Sequence, residues 1–220
     1  MSTPPQNEPL SALSHLLGAV LSIAALVLLI VSAAQVGTAL HVVTFTIFGV
    51  TMFFLYLMSA LYHSVCRDRS PNAKRVLQAL DHTAVYILIA GTYTPVTLIV
   101  LPPGWGWTLF GLVWAIALLG GIIKISQIRI PSSVSVALYL AMGWLVVIAG
   151  VPLVNALPSG GLFWLVMGGL CYTIGAVLYV LDTRVPRTRW FGMHEIFHVF
   201  VMLGSFAHFW MLIRYVVHMQ

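Results

Sequence analysis

Hydrophobic positions fall into seven long blocks, at residues 12–35, 41–64, 79–101, 106–126, 132–154, 159–181 and 192–217. Each block is rich in Leu, Val, Ile, Ala and Gly and is apolar on every face. A bilayer-spanning helix needs about 20 such residues. A transmembrane barrel would show shorter segments of alternating polarity instead. Turn formers gather between the blocks: Pro71, Pro102-Pro103-Gly104, Pro131, Pro158-Ser159-Gly160-Gly161 and Pro186. The pattern predicts an all-α integral membrane protein, a seven-transmembrane helix bundle forming one domain over residues 1–220. Pro95, inside the third block, predicts a kink whose freed carbonyls need Thr or neighbouring partners. The pairs Gly120-Gly121 and Gly168-Gly169 read as close helix contacts.

Composition excludes the main alternatives. Of 220 residues, 60% are hydrophobic and only 7% charged, against roughly 25% charged in a soluble domain. A soluble enzyme, a disordered tail and a nucleic-acid binder are all ruled out. Cys66 and Cys171 are isolated and form no disulfide framework. Residues 1–10 carry Glu8 but no Lys or Arg, so the first block reads as a retained helix rather than a cleaved signal. Nine of the ten basic residues lie in three connections: Arg67, Arg69, Lys74 and Arg75; Lys124 and Arg129; Arg184, Arg187 and Arg189. These connections alternate along the chain and so share one side. The positive-inside rule makes that side cytoplasmic. The N-terminus is then cytoplasmic and the C-terminus outside, the reverse of a G-protein-coupled receptor. A multi-pass protein of the cell membrane is expected.

Ionisable groups at the ends of these blocks carry the chemistry. His63 closes block two, Asp81 opens block three beside His82, and His194 and His198 open block seven. All three ends face the cytoplasmic side, so distant residues reach similar depth. His194 and His198 are four apart and share one helix face. They can chelate one metal ion, with His63 as a third nitrogen. Three protein ligands plus water is the arrangement of catalytic zinc. Asp81 is the natural partner for that water or for a histidine. Ser59, one turn before His63, points at the same cavity or bonds its own backbone. The run His194-Glu195-Ile196-Phe197-His198 also spells HExxH, but Glu195 sits about 100° round the helix from His194. His15, His41 and His218 read as interfacial, His82 as an outer partner at most, and His208 as a hydrogen bond to a neighbouring helix.

The set Ser59-x-x-x-His63, Asp81-His82, Gly91-Thr-Tyr-Thr-Pro95 and His194-x-x-x-His198, on seven spans with an inward N-terminus, resembles the haemolysin III family. That family is the bacterial branch of the progestin and adiponectin receptor superfamily. The resemblance covers nearly the whole chain. It implies zinc held by His63, His194 and His198, with Asp81 at the zinc's water and Ser59 lining the site. The superfamily is related to alkaline ceramidases, so ceramidase-like hydrolysis is implied, with a membrane lipid as substrate or ligand.

Three functions compete. The first is zinc-dependent hydrolysis of a lipid amide or ester, with Asp81 as general base and Ser59 at the oxyanion. The second is a sensor or regulator of lipid homeostasis in which zinc is a staple. The third is a pore, ranked last because no polar stripe runs along a helix. The orientation has a direct check. A reporter fused after Gln220 should register on the exterior side, and a cytoplasmic signal would overturn the assignment of sides.

Overall fold

The structure, a computed structural model, describes residues 8–66, 69–182 and 192–219. Arg67, Arg184, Pro186, Arg187 and Arg189 lie outside the described residues. Seven helices are long and apolar enough to cross a membrane: α1 (Pro9–Val36), α2 (Ala39–Ser64), α3 (Pro71–Val100), α4 (Pro103–Ile125), α5 (Ser132–Ala156), α6 (Ser159–Leu181) and α7 (Met193–His218). Among the described residues there is no strand. Pro9, Pro71 and Pro103 open α1, α3 and α4, where a missing N–H costs nothing. Leu119 is 62% exposed and Val151 75%. A surface this apolar suits lipid, not water.

Neighbouring helices pack in chain order from α1 to α4, α6 packs on α7, and α1 closes against α7. The backbones of α2 and α7 meet mainly through α1 rather than on each other. α5 is held more lightly, by α3 and α6. That light packing leaves room beside it, and a cavity of about 1540 Å³ runs between α3, α5, α6 and α7.

Two helices depart from regular geometry. After Pro95, α3 passes into a wider π-helical turn at Val96–Val100. The Thr97 hydroxyl contacts the Tyr93 and Thr94 carbonyls at 2.9 and 3.2 Å, so a threonine supports the widened turn that follows Pro95. The second departure is not legible as a kink in the sequence. α5 is regular to Gly143, then tightens to a 3-10 stretch over Trp144–Ala149. Tyr93 spans the break: its hydroxyl donates to the Gly143 carbonyl at 2.7 Å and accepts the Val146 N–H at 2.8 Å.

Some boundaries differ from expectation. α3 begins at Pro71, not at residue 79. Asp81 therefore lies ten residues inside the helix rather than at its opening. The polar start, Pro71-Asn72-Ala73-Lys74-Arg75, is too hydrophilic for hydropathy to count, yet it is helical. Gly120 faces the Tyr86 ring and Gly168 faces His208, as close packing requires. Gly169 differs: nothing lies within 4 Å of where its Cβ would be, and it borders the cavity.

Gly91 sets the closest approach of α2 and α3, because an added Cβ would overlap Thr51. Gly91→Val should destabilise the detergent-solubilised protein by about 1–3 kcal/mol, read as a fall in Tm. Gly111→Ala, with nothing within 4 Å, should leave Tm unchanged or raise it. Equal effects at both positions would refute this packing assignment.

Candidate metal centre

The N-terminal ends of α1 and α7 and the C-terminal end of α2 converge on one cluster. His63, His194 and His198 each offer a ligand atom, and these atoms all lie within 4.8 Å of one another. Ring centroids are 5.0 Å apart for His63–His194, 5.0 Å for His63–His198 and 4.7 Å for His194–His198. The rings thus form a nearly equilateral triangle. His63 and His198 are buried and His194 is half-buried. Among the described residues no cysteine or carboxylate joins the three.

The outer nitrogens reveal the protonation pattern. His63 Nδ1 lies 2.6 Å from Glu8 Oε2. A carboxylate only accepts, so Nδ1 carries a proton, and in the neutral imidazole that leaves Nε2 with its lone pair. Ser14 Oγ donates to the Ser11 carbonyl at 2.9 Å and lies 3.1 Å from His198 Nδ1. Its single proton is therefore engaged, and it accepts from Nδ1–H. His198 Nε2 is likewise left as a lone pair. His63 Nε2 faces His194 Nε2 at 3.4 Å. Either His194 Nε2–H donates to His63 Nε2, or both nitrogens turn lone pairs toward a shared cation. The arrangement can hold a metal ion.

His15 of α1 stacks on His198, with centroids 3.6 Å apart and planes 11° from parallel, and so fixes the plane of that ring. Its expected place as an interfacial histidine is corrected: it is buried against the cluster. Glu8, Ser11, Ser14 and His15 were not read as site residues. A signal did exist, since positions 8, 11 and 15 are spaced i, i+3, i+7 on a helix that is otherwise apolar.

Glu195 is engaged elsewhere. One oxygen accepts Ser11 Oγ–H at 2.9 Å, and the other accepts the Gly192 N–H at 2.7 Å. It caps α7 and ties it to α1, so the HExxH match is not a zincin constellation. His194 N–H donates to Asp182 Oδ1 at 3.1 Å, a further lock on the start of α7. Ser59 is buried and Asp81 half-buried, and both line the cavity wall beside the triad. The groups acting most strongly on Asp81 are His63, the Ser59 hydroxyl and Lys74. His82 also borders the cavity, as does Lys124. His41 caps α2 and contacts the Val216 carbonyl at 3.1 Å. His208 packs on Gly168 and Tyr172, far along α7 from the triad.

Glu8 should matter as a support for His63. Losing an outer partner of a ligating histidine commonly weakens metal binding about 10–100-fold. Glu8→Gln should do so, measured by chelator competition on purified protein. His194→Ala and His198→Ala should abolish stoichiometric metal, and His208→Ala should keep it. Equal metal content in all four variants would refute the ligand assignment.

The sequence profile of the family described as Haemolysin-III related matches residues 4–209. The chain is 41% identical over 212 residues to Hemolysin-3 of Bacillus cereus, covering 96% of this chain and 93% of that protein. It is 42% identical over 212 residues to the Hemolysin-3 homolog of Bacillus subtilis (strain 168), covering 96% of this chain and 95% of the relative. The human Monocyte to macrophage differentiation factor is 26% identical over 179 residues, 79% of this chain and 70% of that protein. On these matches and its seven helices, the chain is a multi-pass membrane protein that belongs to the haemolysin III family, within the progestin and adiponectin receptor superfamily.

Proposed function

We propose that the chain is a zinc-dependent hydrolase of a lipid amide or ester in the cell membrane. The observation that carries this reading is a carboxylate, a hydroxyl and three convergent histidines on one wall of a large, mostly apolar cavity. The donor set suits zinc. Nitrogens about 2.0–2.1 Å from a tetrahedral zinc stand about 3.4 Å apart, close to the His63–His194 separation of 3.4 Å. All-nitrogen donors disfavour calcium and magnesium, which take oxygen ligands. Three protein ligands without a fourth leave a position open, as catalysis requires.

When bound, zinc supplies a Lewis acid for the carbonyl and lowers the pKa of water. The chain's residues do the rest. Glu8 and Ser14 hold His63 and His198 by their Nδ1–H groups, and His15 holds the plane of His198. A carboxylate oxygen of Asp81 takes the proton of the attacking water and returns it to the leaving nitrogen or oxygen. The Ser59 hydroxyl, which bonds Asp81 in the resting site, turns to donate to the developing oxyanion once Asp81 has taken the proton. At about 1540 Å³ the cavity exceeds the roughly 300–1,000 Å³ of drug-sized sites, which suits an acyl chain. Donors gathered at one end, rather than a polar stripe along a helix, favour hydrolysis over the cytolysis in the relatives' names.

The regulator reading also has an observation behind it. The triad joins α2 to α7, whose backbones meet mainly through α1, so a metal there would act as a staple. Asp81→Asn separates the two. A general base contributes typically about 10²–10⁴-fold in rate. The enzyme reading expects retained zinc with release of fatty acid from dispersed lipid amides and esters slowed by that amount. Lost zinc, lower Tm and no hydrolysis even in wild type would favour the staple.

A further inference from the structure

The cavity's rim on the side of the triad is asymmetric in charge. On the triad side the carboxylates are engaged: Glu8 with His63 and Asp182 with the His194 N–H. Arg75 of α3, Lys124 of α4 and Arg129 of the α4–α5 turn also line the cavity, with Arg75 and Arg129 exposed and Lys124 half-buried. Residues 71–80 and 124–135 contain no Asp or Glu. Among the described residues none of the three cations has a carboxylate partner. Lys124 is half-buried and meets only a neutral group, donating to Ser135 Oγ at 2.6 Å. Gln78, Gln127, Ser132 and Ser133 add hydrogen-bonding groups to the same rim. The positive-inside rule accounts for Lys and Arg on this side. It does not account for three cations that border one cavity with no carboxylate partner among the described residues, one of them half-buried.

We infer that this rim binds the phosphate of an anionic lipid whose acyl chain lies in the cavity, so that the substrate class is an acyl ester of a glycerophospholipid. The inference rests on the hydrolase reading for the word substrate, but the binding site stands without it. Arg75 precedes Asp81 by six residues, about 9 Å along a helix. A phosphate at this rim and an acyl ester near Asp81 are neighbouring groups of one glycerophospholipid, with the length of the Arg75 side chain making up the remaining separation. A neutral lipid amide would put nothing opposite these charges. Arg75 and Arg129 can each meet phosphate oxygens in pairs, and Lys124 adds a point charge already oriented by Ser135.

The test measures binding, not turnover. Purified full-length protein in neutral detergent is titrated with a diether glycerol phosphate and with the matching uncharged diether glycerol, neither of which has an ester to cleave. The phosphate lipid should bind more tightly, by a margin that shrinks as salt rises. Arg75→Gln, Lys124→Gln and Arg129→Gln should each weaken it about fivefold, and the triple variant should remove most of the preference. Arg214→Gln, at the opposite end of α7, should have no effect. His194→Ala should lose metal yet keep the preference, which separates failure of this site from failure of the hydrolase. Equal affinity for the two diethers, or a preference untouched by the three variants, would overturn the inference. Displacement of the lipid by inorganic phosphate at the same concentration would overturn the lipid source and assign a free-phosphate site.

Discussion

Hydrocarbon offers no hydrogen bonds, and each feature of this molecule answers to that constraint. It forces the backbone into helices. It sends the buried threonine and serine hydroxyls to carbonyls one turn back, as at Thr44, Thr92 and Thr94. Where a helix is interrupted, a side chain completes the ladder, as Thr97 does after Pro95 and Tyr93 does at the break in α5. A polar group that remains after these pairings is costly. Such groups are concentrated at the metal centre and along the cavity.

The same constraint explains why α1 is more than a wall. Its outward face is exposed Leu and Val, while its inward face at the N-terminal end presents Glu8, Ser11, Ser14 and His15. Three of these touch the triad and the fourth ties down Glu195. Without them, His63 and His198 would bury Nδ1–H groups with no acceptor, at a cost of about 1–3 kcal/mol each. α1 therefore sets the tautomers, and through them which nitrogens face inward.

Packing is uneven around the ring. α1 to α4 and the α6–α7 pair are close, with small residues at the contacts: Gly91 on Thr51 and Gly120 on Tyr86. α5 is light and irregular, held in part by Tyr93. The cavity lies beside the lightly held helix, and the metal centre lies at the tightly held one. Closely packed histidines next to a loosely walled chamber agree with the proposed hydrolysis of a lipid. The charged rim on α3 and the α4–α5 turn adds a polar anchor at the entrance to that chamber.

By itself the sequence determined what depends on local pattern. Block length and apolarity specified seven membrane helices. The i, i+4 spacing put His194 and His198 on one face, and alternation of the blocks put His63 on the same side of the membrane. Hydropathy could not place the start of α3, because its first turns are polar and project beyond the apolar block. Nor could it find the break in α5, since tightening a helix leaves composition unchanged. Only the tertiary structure decided the partners. Glu8 reaches His63 across 55 residues, and Ser14 reaches His198 across 184. Such contacts depend on which helices are neighbours and how each is rotated, and a uniformly apolar span carries no stripe to declare its rotation. Glu195 matched a metalloprotease pattern in sequence, yet in space it is a cap and a tie to α1. The reason is the same: spacing along one helix specifies a face, but only packing specifies what that face meets.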